Sequence, residues 1–226
     1  MGEKYTRRAS LRRILALLEG ATEERFIKDV LSPYLLTYGI VLIPTITDTK
    51  KVIGGQSNKG GGRHFAKVKA DILGLLNDKN AAAITTMFDF YEFYEIQGTT
   101  QVVYADIVKL EQTIAAEINH PRFKPYLQRH EFEAFMFIEP SLTAKIALRH
   151  EKASAINAHR QQFNSVEDIN LAPALAPSKR LKSAIGGYSK PIIGAAVTNQ
   201  LGITRLMQEC PKFAQWVNWM VSLAPK

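Results

Sequence analysis

Two apolar runs that each end in a carboxylate constrain the fold of this chain more than any other feature. Arg13–Leu18 leads directly into Glu19, and Ala83–Phe88 leads directly into Asp89. Such runs are typical of buried parallel strands, and the carboxyl ends of parallel strands form the ligand-binding edge of an open α/β sheet. We therefore expect Glu19 and Asp89 to be neighbours, where paired carboxylates favour a divalent cation and phosphate chemistry.

The first 140 residues alternate between strand-like and amphipathic helix-like patterns. Strands are predicted at four places: 12–18, 40–46, 81–88 and 125–130. The order βαβαβαβ is typical of a mostly parallel sheet with helices on both faces. In the first helix, Thr22 is the predicted N-cap and Pro33 a kink or an end.

The pattern changes after about residue 140. Helices are predicted at 141–162, 192–200 and 212–223, without a clear strand. The expected organisation is an α/β domain over residues 1–140, followed by a helical C-terminal extension over residues 141–226.

The composition excludes several classes of site. A single cysteine, Cys210, excludes an internal disulfide and a multi-cysteine zinc site, and the five histidines show no metal-ligand spacing. No apolar run approaches the roughly 20 residues that span a bilayer. The five residues Ile14–Leu18 that follow the arginine-rich start are shorter than the roughly 7–15 of a secretory core. A cytoplasmic protein without a membrane partner is expected.

Three further acids are candidates for the same site. Glu23 lies four residues after Glu19, and Glu131 and Glu133 follow the fourth predicted strand. These three acids can hold a second ion or orient water. The alternatives are that Glu23 stabilises a helix dipole and that Glu131 and Glu133 are ordinary helix-start acids.

Basic residues favour a polyanionic partner. The net charge is +8 and the pI is about 9.5, which is typical of proteins that contact nucleic acid. Residues 50–63 are predicted to be a glycine-rich basic loop, and they lack the P-loop and dinucleotide-binding patterns. The two interpretations are a flap over a phosphate backbone and a surface loop. The candidate phosphate contacts are Lys59, Arg63, Lys179, Arg180, Lys182 and Lys190.

Several segments together resemble the Toprim (topoisomerase–primase) fold, and more closely a bacterial Toprim-like family of unassigned function. The matching segments are Leu18–Glu23, Thr85–Tyr91, Pro125–Ala134, Ala176–Arg180 and Cys210–Phe213. The resemblance implies a metal-dependent nuclease, comparable to Toprim nucleases that work beside ATPases in antiphage defence. It implies Mg²⁺ or Mn²⁺ as cofactor, with Glu19 and Asp89 as ligands.

Two departures from the family pattern bear on activity. The usual Asp-x-Asp is here Asp89-Phe90-Tyr91, so the second aspartate is missing. Two-metal catalysis would then require Glu131 or Glu133 as its substitute. Glu92 also stands where the closer family typically has a glycine.

These observations predict a nuclease that cleaves DNA or RNA with catalytic residues Glu19, Asp89, Glu131 and Glu133, compatible with an ATPase partner and a homo-oligomer. One alternative is a non-catalytic nucleic-acid-binding or regulatory subunit with a degenerate metal site. The other is a phosphatase-like enzyme with Asp89 as nucleophile.

Overall fold

A computed structural model describes residues 11–47, 65–91, 93, 95, 96, 98–100, 106–169 and 175–225. Its centre is a five-stranded sheet in the order β2-β1-β3-β4, with β5 also paired to β3. The strands are β1 (Arg12–Leu18), β2 (Ile40–Ile46), β3 (Ala81–Asp89), β4 (Phe123–Lys124) and β5 (Leu127–Gln128). Every recorded strand pair is parallel, which confirms the predicted α/β class.

Helices connect the strands and form the C-terminal part. Their bounds are α1 (Ala21–Phe26), α2 (Ser32–Leu36), α3 (Phe65–Leu76), α4 (Ile107–Ile118), α5 (Pro140–Ile146), α6 (Ala153–Arg160), α7 (Pro177–Ile185), α8 (Lys190–Glu209) and α9 (Pro211–Ser222). A π-helical turn, Ile27–Leu31, joins α1 to α2, and 3₁₀ turns occupy Phe132–Phe137, His150–Lys152 and Val166–Asp168.

The strand register brings the carboxyl ends of the strands together. Leu18 at the end of β1 pairs with Met87 of β3, and Asp89 at the end of β3 pairs with Gln128 of β5. Glu19 continues the ladder, since its backbone N–H donates to the Met87 carbonyl over 3.3 Å. The residues that follow β1, β3 and β5 therefore meet at one edge of the sheet.

Each face of the sheet has its own hydrophobic core, as alternation along the strands requires. Leu15 and Ile84 point to the face covered by α3 and α4. Ile14 and Met87 point to the opposite face, where they share one core with residues of α1, α8 and α9. The C-terminal helices therefore pack directly against the sheet.

Trp216 of α9 anchors that packing. Its ring stacks on Tyr126 with centroids 4.2 Å apart, and its indole N–H donates to Thr85 Oγ1 over 2.8 Å. Trp216 is 2% exposed. The indole thus joins a C-terminal helix to the central strand through both a stacked ring and a buried hydrogen bond.

The predicted fourth strand over 125–130 is wrong in its extent. The structure has two short strands, β4 and β5, in this region. The backbone N–H groups at the break donate to side chains and not to a neighbouring strand. The Tyr126 N–H donates to Thr86 Oγ1 over 2.9 Å, and the Leu127 N–H donates to Glu111 Oε1 over 2.7 Å. Pro125, which has no N–H, lies at the interruption.

Helix ends also differ from the predictions. The first helix, α1, begins at Ala21 with Gly20 as N-cap, two residues before the predicted Thr22 cap. It ends at Phe26 and a π-helical turn follows, so Pro33 lies in the first turn of the next helix, α2. The segment predicted at 192–200 is the start of the longer α8, which breaks at Gly202, where φ is +72°.

Within the described part of the chain, no helix combines the length and apolar character that a membrane span requires.

Replacement of Trp216 by alanine is expected to lower the free energy of unfolding by about 3–5 kcal/mol, because it removes a fully packed indole. Trp219 on the same helix is only half-buried, so Trp219→Ala is the matched control, with a smaller loss. Denaturant unfolding of both variants measures the difference. Equal losses would contradict the anchoring role.

Candidate active site

Glu19 and Asp89 lie side by side, as the two strand ends predict. The Asp89 backbone N–H donates to Glu19 Oε2 over 3.2 Å. Asp89 Oδ1 in turn accepts from the Phe132 N–H over 2.8 Å. The Asp89 side chain is 13% exposed. Both carboxylates are therefore fixed by backbone donors at the edge of the sheet, close to solvent.

Lys190, the first residue of α8, lies among the acids of this edge. Its Nζ is 3.0 Å from Asp89 Oδ2, 3.1 Å from Glu133 Oε2 and 3.7 Å from Glu23 Oε1. The sequence predicts a phosphate contact for Lys190. The structure places its ammonium group within the acidic cluster.

The buried acids and Lys190 shift one another's protonation. Burial, and then the charge of Asp89, raise the pKa of Glu23 to about 8 against the opposing effect of Lys190. Burial likewise raises the pKa of Glu133. Burial favours neutral Lys190, but Asp89, Glu133 and Glu23 outweigh it and raise the Lys190 pKa. The pKa values of Lys190 and Glu23 are both raised, which favours the ammonium form of Lys190 and the protonated form of Glu23.

Glu133 is brought to the cluster by the 3₁₀ turn Phe132–Phe137, as the sequence prediction expected. Its Oε1 accepts from the Tyr188 hydroxyl over 3.0 Å. Its Oε2 is buried without a hydrogen bond of good geometry, although Lys190 Nζ is near. Burial, and then the charge of Glu133, raise the Tyr188 pKa, so the phenol stays protonated.

Glu131 has a different environment from the other acids. Its Oε2 accepts from the backbone N–H of Ser178 over 2.7 Å, and its Oε1 accepts from the Ser178 hydroxyl over 3.0 Å. Ser178 lies in the first turn of α7, so Glu131 satisfies the amino terminus of that helix. The structure therefore gives Glu131 a helix-capping contact at the start of α7.

The residues that were predicted to contact phosphate differ in their exposure to solvent. Lys179 and Lys182 are exposed on α7. Arg180 is buried, with Nε donating to the Leu175 carbonyl and its guanidinium 4.8 Å from the Phe163 ring centroid. This position leaves Arg180 unable to reach a surface ligand. Lys59 and Arg63 lie outside the described residues.

Tyr188 and His130 are features of the site that the sequence analysis did not assign. Tyr188 is two residues before Lys190, and no spacing in the sequence links it to Glu133. His130 directly precedes Glu131 and has φ +65°, an unusual backbone conformation for a residue other than glycine. Burial, followed by the charge of Arg129, lowers the His130 pKa to about 4, so this imidazole is neutral at pH 7.

The donor set of the site fits a hard divalent cation only in part. Carboxylate oxygens suit Mg²⁺ and Mn²⁺, and Mg²⁺ commonly takes one or two protein carboxylates. Within the described ranges, however, no three His, Cys, Asp or Glu side chains form a ready-made metal-ligand set. Lys190 contacts Asp89, Glu133 and Glu23. Glu19 and Asp89, which follow two adjacent strand ends, are the residues that would hold a cation.

Comparison with known proteins places the chain in a family. The model of DUF4276, described as a domain of unknown function, matches residues 18–221, and the chain belongs to this family. No protein of curated function matches. Among solved structures, the chain is similar to the C-terminal region of the Burkholderia pseudomallei OLD protein. The identity is 12% and the TM-score 0.45, with 93% of this chain and 99% of that chain covered.

The capping role of Glu131 predicts a stability effect. Glu131→Ala and Ser178→Ala are each expected to lower the free energy of unfolding by about 1–2 kcal/mol, and the double variant by less than the sum. The exposed pair Glu139–Ser141, whose side chains are 2.6 Å apart, provides a control with little effect in the same unfolding experiment. Strictly additive losses at Glu131 and Ser178 would show that the two side chains do not interact.

The raised pKa of Glu23 predicts a pH-dependent stability. Native Glu23 binds its proton more tightly than the unfolded chain does, so between pH 4.5 and about 8 ionisation progressively destabilises the fold. Glu23→Gln removes this ionisation. In metal-free buffer, the melting temperature of the wild type should therefore fall more than that of Glu23→Gln from pH 5 to pH 9. Equal falls in the melting temperatures of the wild type and Glu23→Gln from pH 5 to pH 9 would refute the raised pKa of Glu23.

Proposed function

We propose that this member of a family of unknown function is a divalent-metal-dependent nuclease that hydrolyses phosphodiester bonds in DNA or RNA. The observation that carries the proposal is the position of Glu19 and Asp89. The Asp89 backbone N–H donates to the Glu19 carboxylate at the carboxyl edge of a parallel sheet, and the Lys190 ammonium group lies 3.0 Å from Asp89 Oδ2. Acids and a cation in this arrangement are suited to phosphate chemistry.

Glu19 and Asp89 are the proposed metal ligands. When bound there, Mg²⁺ or Mn²⁺ supplies a Lewis acid for the phosphoryl oxygen and lowers the pKa of a bound water. The backbone donors on both carboxylates hold the oxygens in place before any ligand arrives. This fixed arrangement reduces the reorganisation that binding requires.

Lys190 provides a second positive charge in the same site. Its side chain is 29% exposed, so the ammonium group is reachable from solvent although three acids surround it. We assign it to stabilising negative charge on a phosphate group. Glu133 and Tyr188 orient it: Glu133 pairs with the ammonium group and in turn accepts the Tyr188 hydrogen bond.

Lys179 and Lys182 are the proposed contacts to the nucleic-acid backbone. They lie exposed on α7, whose first turn is attached to Glu131 and so to the rim of the acidic cluster. Contacts of this type bind phosphates without reading the base sequence. Lys59 and Arg63 are further proposed contacts on sequence grounds. On the basis of the Toprim resemblance, we further propose that the nuclease works together with an ATPase partner in antiphage defence.

The second candidate function is a non-catalytic nucleic-acid-binding or regulatory subunit. Two features favour it: tyrosine stands at position 91 in place of the second aspartate, and Lys190 pairs with acids that a second metal ion needs. This function predicts salt-dependent binding without metal-stimulated cleavage. A phosphatase with Asp89 as nucleophile is less well supported, because no Asp-x-Asp follows that strand: the sequence there is Asp89-Phe90-Tyr91.

Cleavage assays with Mn²⁺ on single-stranded and duplex DNA and RNA test the nuclease proposal. Glu19→Gln and Asp89→Asn should each reduce cleavage at least about 100-fold, because each removes a charged metal ligand. Glu117→Gln is the matched control. Glu117 is an exposed acid on α4 paired with Lys69, and its substitution should leave the rate unchanged. Undiminished cleavage by Glu19→Gln or Asp89→Asn would refute the proposal.

A further inference from the structure

We propose that Lys190 is a built-in cation that replaces one of two metal ions, so that the acidic site binds a single divalent cation, held by Glu19 and Asp89. This inference rests on the proposed function and specifies its metal stoichiometry. Two-metal phosphodiesterases place their ions roughly 3.5–4 Å apart and bridge them with shared carboxylates. In this chain the group between the carboxylates is an ammonium.

The contacts of Lys190 are those of a shared cation. Its Nζ is within 3.7 Å of oxygens from three acids, and these acids come from the strand end, from α1 and from the 3₁₀ turn. Asp89 offers one oxygen, Oδ2, to Lys190, while its N–H contacts Glu19 on the other side. The Asp89 carboxylate is therefore shared between the Phe132 N–H and Lys190, and Lys190 occupies the cation position beside Oδ2.

The position of Lys190 is set by the backbone and by packing. Pro191 follows it in the first turn of α8, which fixes the local backbone. Further along α8, Gly194 allows a close approach to the 3₁₀ turn, since a Cβ there would lie 2.9 Å from Phe132 Cε1. The Phe132 ring centroid is itself 5.9 Å from Lys190 Nζ. This packing fixes the start of α8 at a position from which the Lys190 ammonium group reaches the acidic cluster.

The ligands that a second metal ion would need are used elsewhere. Position 91 is a tyrosine, so the strand end provides one aspartate. Both carboxylate oxygens of Glu131 accept hydrogen bonds from Ser178. Glu23 and Glu133 contact Lys190. A second divalent ion would have to displace Lys190 or bind beside it against direct charge repulsion.

Mn²⁺ binding to the full-length chain, followed by electron paramagnetic resonance without nucleic acid, tests the inference. The wild type should bind one Mn²⁺ per chain with no spin-coupled pair, and Glu19→Gln should bind none. Lys190→Met should bind a second ion, detected as a coupled Mn²⁺ pair, and bind its first ion about tenfold more tightly. Lys190→Arg keeps the charge and should still bind one ion. Lys145→Met, at an exposed lysine on α5, is the matched control and should behave as the wild type does.

The outcomes separate this inference from the proposed function. A coupled Mn²⁺ pair in the wild type would overturn the single-ion inference and leave a metal-dependent nuclease intact. Two ions in Lys190→Arg, or one ion in a folded Lys190→Met, would show that the charge of Lys190 does not set the stoichiometry. No bound Mn²⁺ in the wild type would overturn the proposed metal site and the inference together. If Lys190→Met does not fold, Lys190→Gln, which also removes the charge, takes its place in the same measurement.

Discussion

The ion pairs of Lys190 make the acidic edge of this protein compatible with a folded chain. Burying several carboxylates together is unfavourable, because each loses hydration and repels the others. Here Asp89, Glu133 and Glu23 surround one ammonium group within 3.7 Å. The remaining excess of negative charge is relieved by protonation, since the pKa of Glu23 is raised to about 8. The arrangement of α1, β3, the 3₁₀ turn and α8 around the edge depends on this shared cation.

The helical C-terminal part is therefore integral to the site. Lys190 and Tyr188 come from this part, and Ser178 of α7 holds Glu131. Packing of α9 on the sheet through Trp216 keeps the same helices in register with the strands. An α/β domain that ended near residue 140 would have the strand-end acids but would lack their counter-charge.

The same geometry explains why a nuclease and a degenerate binding module are both reasonable. Asp89 and Glu19 are neighbours at the edge of the sheet, where the Asp89 N–H contacts the Glu19 carboxylate. Tyr91 stands where the Toprim pattern has a second aspartate, and Lys190 places a positive charge 3.0 Å from Asp89. Replacing an ion by a lysine preserves part of the electrostatic stabilisation of a phosphate group. After such a replacement, the number of bound metal ions distinguishes this site from a two-metal site.

The sequence by itself determined the parallel sheet and its first three strands, because buried strands need apolar runs and helices need a period of 3.6 residues. It also identified Glu19 and Asp89, since a carboxylate that directly follows a buried strand must lie at the edge of the sheet. The broken fourth strand could not be predicted, because Thr86 and Glu111 take its hydrogen bonds from distant positions. The environments of Glu131, Arg180 and Lys190 were likewise decided only by the tertiary structure. Their partners lie far away in sequence, as with Lys190 and Asp89, which are 101 residues apart, and no local pattern records a contact of that range.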